Sequence, residues 1–392
     1  MTFDSGGDCD DEDPAVGWSY DCVYATLTNG IGAVGFGTDL EVTDVDGDGG
    51  QDVVVLWLQD RRVDDWSVIT TVLGPISPGT TPRSEMNSAF AYRFTTDNNF
   101  AVADFSADGS KSVLLSSTRG VETIWVTDLL GESSYRPLAV PSYFSISAGE
   151  VDGDGFANDV VVRARPYQRG NVGHSELQVV TFTDGEPGTP AVLVADVRID
   201  SGTLVGDLDG DGLDNLVVTG LDSEGARVWW GDAATESGTV EDIAVGSWQS
   251  EEVESIGAVG RGGDQNGDGY PEILLTPFEG TEVWIAQGGP DLNLGTWVAV
   301  LQTDSTLYET TPGADLNRDG LADLWLASNP PVPPLFAPIE GVIELEGVNA
   351  ATAAIGDVDG DGRLDLVARN LNANAPSASA YEALIYLGSP DW

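Results

Sequence analysis

Apolar and polar positions alternate along this chain in one repeating order. A short apolar stretch enters an acidic, glycine-rich turn, a β-branched run leaves it, and a second run carrying an aromatic follows. After the first turn the run reads VVVLW (53–57), and the second runs read VETIWVT (121–127), ARVWWGD (226–232), TEVWIAQ (281–287) and EALIYLG (382–388). Runs this short, rich in Val, Ile and aromatics and bounded by Gly and Asp, predict strands. Each acidic turn therefore joins two adjacent strands.

The turn occurs seven times, beginning at Asp44 (DVDGDGGQD), Asp104 (DFSADGSKS), Glu150 (EVDGDGFAN), Asp207 (DLDGDGLDN), Asp264 (DQNGDGYPE), Asp315 (DLNRDGLAD) and Asp357 (DVDGDGRLD). Successive copies lie 42 to 60 residues apart, the length of a four-stranded blade with variable loops. The steps are too long and irregular for a stacked β-helix, so the repeat predicts an all-β, seven-bladed propeller. After Asp357 only two further strands fit, near 364–369 and 381–387, whereas the segment before the first loop holds a spare strand, CVYATLT (22–28). That strand is expected to complete the last blade as its outermost strand and so close the ring.

So many carboxylates in one turn repel each other unless a cation sits among them. Positions 1, 3 and 5 can turn side-chain oxygens inward, position 7 can offer its carbonyl, and glycine at position 6 allows the bend. The acid at position 9 is expected to close the cage. An EF-hand shares the opening but needs Glu at position 12 and flanking helices, and neither is present. Calcium fits this many protein oxygens better than magnesium, which keeps its waters.

Loop one (Asp44, Asp46, Asp48, Asp52) and loop seven (Asp357, Asp359, Asp361, Asp365) are complete. Loop five (Asp264, Asn266, Asp268, Glu272) and loop six (Asp315, Asn317, Asp319, Asp323) place Asn at position 3 and keep an oxygen donor there. Loop three (Glu150, Asp152, Asp154, Asn158) and loop four (Asp207, Asp209, Asp211, Asn215) carry less charge and are expected to bind more weakly. Loop two, from Asp104, has Ser106, Lys111 and Ser112 in its place and is expected to be empty. The expected load is about five or six calcium ions. Solvated Asp-Gly turns are the alternative reading of any single loop.

The loops, together with Phe36-Gly37 before the first of them and LLTPFEGTEVWI in the fifth repeat, resemble the FG-GAP or VCBS repeats, whose best-known members form the head propeller of integrin alpha subunits. The other repeats keep the loop and lose those flanking signatures. The resemblance runs from about residue 30 to the end. It implies a seven-bladed propeller with calcium in the hairpins between first and second strands, all on one face. Residues 1–29 then form an acidic extension with the closing strand, and 30–392 the propeller. The family has many functions, so the resemblance names no ligand.

A formal charge of −49 changes the picture of partners. Six or seven calcium ions would neutralise only about 12 to 14 of those charges. Lys111 is the sole lysine, so nucleic acid and anionic membranes are excluded as partners for want of a basic stripe. The excess acid suits a salty or calcium-rich external medium. No stretch of about 18 apolar residues is present to span a membrane. Cys9 and Cys22, the only cysteines, read as a disulfide of an exported or cell-surface protein, with two free thiols as the alternative. Residues 1–8 are not a signal peptide, and a leader is expected to have been replaced by Met1.

Ligands are expected on the face opposite the calcium loops. Arg163, Arg165, Tyr167, Arg169 and the only histidine, His174, cluster in RARPYQRGNVGHSEL (163–177), where forked guanidinium contacts could hold an anionic or sugar ligand. The alternative is that these arginines only offset neighbouring acids. Trp125, Trp229 or Trp230, and Trp284 recur at one strand position and are assigned to the core, while Trp18, Trp66, Trp248 and Trp297 fall outside that pattern. Arg-Gly-Gly-Asp at 261–264 runs into loop five and reads as fold, not as an adhesion tripeptide. No nucleophile elbow, zinc motif or phosphate-cradling loop occurs. These features together predict a monomeric binding or adhesion module for a protein or surface ligand, and not an enzyme. The alternatives are a lectin with sites between blades or, third, a polysaccharide-acting enzyme.

Overall fold

The computed structural model describes residues 23–28, 33–59, 67–82, 87–92, 100–106, 108–115, 123–127, 134–138, 146–163, 175–183, 185–222, 225–233, 235–250, 253, 255–277, 281–289, 297–303, 313–325, 334–345, 353–369 and 382–388. The architecture is nearly all β, in several sheets. Among the described residues the one helix is the short turn Val240–Ile243, capped by the Thr239 hydroxyl.

The first sheet orders strands Ala33–Thr43, Asp52–Gln59, Ser67–Val72 and Asn87–Tyr92 as an antiparallel meander. The second repeats this with Phe100–Ala103, Ser112–Leu115, Thr123–Thr127 and Ser134–Leu138. The third starts with Ile146–Gly149 and Asp159–Arg163, the fourth with Arg198–Leu204 and Asn215–Asp222, and the fifth with Ile256–Gly263 and Glu272–Pro277. In each, the acidic loop is the hairpin between the first two strands, as the hydrophobic pattern predicts. The sixth repeat departs from expectation. Its described backbone pairs with itself only through the bridges Ala314 to Asp323 and Leu324 to Leu335.

The last sheet joins both ends of the described chain. Ala353–Gly356, Asp365–Arg369 and Glu382–Tyr386 are followed by Ala25–Thr28, which pairs antiparallel with Glu382–Tyr386, from Ala25 opposite Ile385 to Thr28 opposite Glu382. Ala25–Thr28 is not the outermost strand, because Gly79–Pro82 lies parallel beyond it. The same addition recurs: Gly238–Thr239 lies parallel on the third sheet and Gly341–Leu345 on the fifth. In the latter two cases a segment from the next repeat covers the edge of the preceding sheet, and in the first a segment of the first repeat covers the edge of the last sheet.

Apolar clusters sit between consecutive repeats. Val54 and Leu56 meet Val113 and Leu115; Phe105 and Leu114 meet Val160 and Phe182; Val161 and Leu177 meet Val218 and Trp229. Val228 and Trp230 meet Ile273 and Leu275; Leu274 and Ile285 meet Leu324 and Ile339; Leu316 and Trp325 meet Leu366 and Tyr386. The last repeat meets the first through Val367 and Ile385 against Val55 and Trp57. The sixth repeat, poor in ladder pairing, is thus still packed on both sides. Side chains standing on opposite faces of a strand make this possible: Asp52–Gln59 feeds the clusters on both sides of the first repeat and Asn215–Asp222 those on both sides of the fourth.

Candidate metal centres

Each loop folds around the carboxylate at position 1. In loop one, Asp44 accepts the backbone N–H of Gly47 at 2.7 Å and of Gly49 at 3.0 Å, Asp46 accepts that of Asp48 at 3.1 Å, and Asp48 that of Gly50 at 2.7 Å. Loop seven repeats the pattern from Asp357, Asp359 and Asp361. Loop five repeats it with Asn266 at position 3, and loop six, with Asn317, keeps most of it. Positions 4 and 6 need left-handed backbone, at φ of 76° for Gly47 and 91° for Gly49. Loop six has Arg318 at position 4, the one non-glycine with such a φ, 63°, among the described residues.

Carboxylate oxygens converge to within 4.8 Å of one another in four groups: Asp44, Asp46 and Asp48; Glu150, Asp152 and Asp159; Asp207, Asp209 and Asp211; and Asp357, Asp359 and Asp361. Glu150 Oε2 and Asp209 Oδ1 are buried atoms with no hydrogen-bond partner. Orphaned buried carboxylate oxygens are costly without a counter-charge, and a hard cation would supply one. Loop two keeps the bonds to Asp104, from the Asp108 N–H at 3.1 Å and the Gly109 N–H at 2.7 Å, and adds a hydroxyl to position 5. Asp108 is taken up by the Ser110 N–H and hydroxyl at 2.9 and 2.5 Å, which hold its carboxyl below the usual range.

Position 9 has a task the sequence did not show. Asp52 is 1% exposed and accepts the N–H of Val45 at 2.8 Å and of Gly74 at 2.8 Å. Asp365 accepts those of Val358 at 3.0 Å and Gly388 at 2.9 Å, and Asp323 those of Leu316 at 2.9 Å and Ala337 at 2.8 Å. This residue therefore ties the loop backbone to the chain beyond the third strand. Burial pushes the carboxyls of Asp365 and Glu272 up to about 7, with nearby loop carboxylates adding to the rise.

In loop three the residue in this place is Asp159, not Asn158. A tight turn, with Asn158 N–H donating to Phe156 O at 2.8 Å, lengthens the loop by one residue. Asp159 then accepts Val151 N–H and Phe182 N–H, each at 3.0 Å, and joins the converging group of Glu150 and Asp152. In loop four Asn215 keeps its oxygen on Leu208 N–H and turns its amide to Asp232 Oδ1 at 2.9 Å. Asp232, which sequence reasoning missed, has its carboxyl raised by burial and then by Asp211 and Asp209.

Position 2 carried a legible signal that went unused. Val45, Phe105, Val151, Leu208, Leu316 and Val358 are all apolar and all buried in the cluster toward the next repeat. Gln265 is the exception, buried with its amide on Gly262 O at 3.2 Å.

Neighbouring loops touch by a recurring rule. The N–H of Asp214, at position 8 of loop four, donates to Glu150 O at 2.7 Å, and that of Ala322, at position 8 of loop six, to Asp264 O at 2.7 Å. In the opposite sense, the side-chain Oε1 of Gln51, at position 8 of loop one, accepts the Asp357 N–H of loop seven at 2.8 Å, as Asp214 Oδ2 accepts that of Glu150 at 3.3 Å. The glycine before position 1 exists for this approach: a Cβ on Gly149 would stand 2.1 Å from Asp214 Oδ2, and one on Gly356 2.2 Å from Gln51 Oε1. Likewise Leu208 O accepts from Gly289 of the next repeat, and Val358 O from Ile76 of the first, both at 2.7 Å.

Of the arginine cluster, Arg163 ends the strand Asp159–Arg163 opposite Leu177; Arg165, Tyr167, Arg169 and His174 lie outside the described residues, as do Cys9 and Cys22. Arg261 serves the fold, donating to Leu204 O at 3.1 Å and Ala148 O at 3.0 Å, and pairing with Asp214 at 3.5 Å. Glu41 has accessible surface yet is packed round by protein; burial pushes its carboxyl up to about 7, against the pull of Arg261 and Lys111.

Fold and loops define an all-β repeat protein with acidic hairpin loops. No family model and no curated protein matches the chain. It is similar to solved structures. One is an exotype rhamnogalacturonan lyase, YesX, at 13% identity over 93% of this chain and 76% of that one, with a TM-score of 0.46. Another is BBS1N in complex with ARL6DN, at 9% identity over 92% and 95%, with a TM-score of 0.39. The first of these corrects the expectation of a non-enzyme: a lyase stands among the similar structures, so missing motifs do not exclude catalysis. Among the described residues no helix is long and apolar enough to cross a membrane.

Proposed function

We propose that the chain is a ring-closed, seven-bladed propeller of the FG-GAP type whose loops hold calcium, and that it works outside the cell as a binding module for a protein or surface ligand. The observation that carries this reading is the recurrence of loop contacts. The step from the seventh repeat to the first uses a position-8 side-chain oxygen on the position-1 N–H, as Asp214 does with Glu150, together with the same carbonyl at position 2 and the same parallel edge strand as steps inside the chain. Convergent carboxylates with orphaned oxygens support the metal. Loops one, three, four and seven would take the ion through the converging groups, while loops five and six offer Asp264, Asn266 and Asp268, and Asp315, Asn317 and Asp319. Calcium there offsets mutual repulsion and fixes the rim, leaving the opposite face to the ligand.

Thermal unfolding with calcium, with excess chelator and with magnesium, beside a metal count by mass spectrometry, tests the reading. A calcium-specific rise in midpoint with about five or six ions bound supports it. An unchanged midpoint and a metal-free protein would remove it.

A further inference from the structure

We propose that the strand Gly341–Leu345 is a docking edge for a partner protein, which adds to the fifth sheet an extended segment of alternating apolar and basic residues. The inference rests on the reading of the chain as a binding module, and not on the metal in its loops. Gly341–Leu345 is the last strand of its sheet and lies parallel on Trp297–Thr303, from Gly341 opposite Ala299 to Leu345 opposite Thr303. A strand turns N–H and C=O groups to both sides, so the side away from Trp297–Thr303 carries a row of donors and acceptors. Among the described residues, Gly341, Val342 and Ile343 make no hydrogen bond beyond that ladder.

The strand is seated on the core and still open outward. Ile339, just before it, is buried, and Ile343 packs on the same cluster as Leu301 and Leu324. Val342 is 66% exposed. Of the large apolar side chains that stand exposed among the described residues, Leu73, Phe156, Val245, Phe336 and Val342, it is the only one within a strand. The other two parallel edge strands are blunted. Gly79–Pro82 ends on a proline, and Gly238–Thr239 is two residues long and turns at once into the helix Val240–Ile243. Short length and proline are what keep an edge from pairing. Gly341–Leu345 has five residues and neither Pro nor Lys. Charge then selects the partner. The stretch EGVIELE (340–346) holds three glutamates and no cation, and Glu340 is exposed. In a chain of charge −49, this edge repels a second copy of itself and attracts a basic segment. Main-chain hydrogen bonds along the edge supply the affinity, and alternate side chains the choice of partner.

The experiment is a titration of the full chain in calcium, at about 0.15 M salt to screen diffuse attraction, with a fluorescein-labelled heptapeptide alternating Lys and Val. Its Glu-Val and Lys-Pro counterparts are run beside it, the second keeping the charge but unable to form a strand. Anisotropy reads the binding, and amide exchange its place. Expected is saturable binding of the Lys-Val peptide with slowed exchange at 341–345, and binding of the other two weaker by about tenfold or more. Val342→Lys, which sets a like charge against the peptide, should weaken binding about tenfold. Val245→Lys, equal in charge and 70% exposed elsewhere, should leave it unchanged. Thermal midpoints control for folding, and if Val342→Lys does not fold, the exchange pattern of the wild-type chain decides. No saturable binding, equal binding of the Lys-Pro peptide, protection away from 341–345, or a dimer in sedimentation that Val342→Lys dissolves would overturn the proposal. None of these results alters the metal count or the calcium-dependent midpoint, so the two readings fail separately.

Discussion

Replacing Asp365 separates two tasks that a position-9 carboxylate can have. In the structure both its oxygens accept buried backbone N–H groups, from Val358 and Gly388. Ala at this place strands both donors, and each buried unsatisfied N–H costs about 1 to 3 kcal/mol, so Asp365→Ala should lose about 2 to 6 kcal/mol. Asn keeps one acceptor and points an NH2 at a second donor, so Asp365→Asn should lose about 1 to 3 kcal/mol. Nature's own asparagine, Asn215, avoids this because its amide finds Asp232. The assay is urea unfolding in chelator, repeated in calcium, with Asp361→Asn alongside. Asp361 is exposed and belongs to a converging group, so its variant should stay within about 0.5 kcal/mol of wild type in chelator and fall only in calcium. A residue that only closed a cage would behave as Asp361 does. Asp365→Asn as stable as wild type in chelator, or more so through loss of a buried charge, would refute the staple.

Without metal, the protein should gain stability on acidification from about pH 7 toward about pH 4. Burial raises the carboxyls of Asp159, Glu272 and Asp365 to about 7, so the folded state holds more protons than the unfolded one across that window and stability falls as pH rises through it. Chelated samples melted at stepped pH check the sign, and saturating calcium should flatten or reverse it, since protons then displace the ion. Gly356→Ala should cost about 1 to 3 kcal/mol by overpacking, because its Cβ would stand 2.2 Å from Val42 Cγ1. An unchanged urea midpoint would mean that the first and last repeats do not approach as described.

The seven hairpin turns and most of the strands around them are legible in the sequence because both are local. Asp and Gly at fixed offsets mark the turn, and Val-rich runs mark the strand. What is not legible depends on neighbours. Asn158 and Asp159 are adjacent, and only the backbone turn at Phe156 decides which is buried. Asp52 reads equally well as a metal ligand or as a backbone acceptor, since both tasks want a carboxylate. Gly79–Pro82 has Gly and Pro at its ends and no apolar alternation, so nothing local marks it as a strand. Trp248 and Trp297 break the recurring pattern in the sequence, yet their meeting with Trp284 depends on two different sheets.

The pairing of Ala25–Thr28 with Glu382–Tyr386 has a kinetic consequence. Ala25 and Ile385 are the ends of a loop hundreds of residues long. By chain statistics, closing it costs about 3 kcal/mol more than closing a ten-residue hairpin. This pairing is thus the contact of highest order among the described residues, and it is expected to form late. During synthesis, N-terminal end first, the strand at 25–28 is made early and its partner late. Until then the edge of Ala25–Thr28 that faces Glu382–Tyr386 is unpaired and open to the wrong neighbour, while its other edge can already meet Gly79–Pro82.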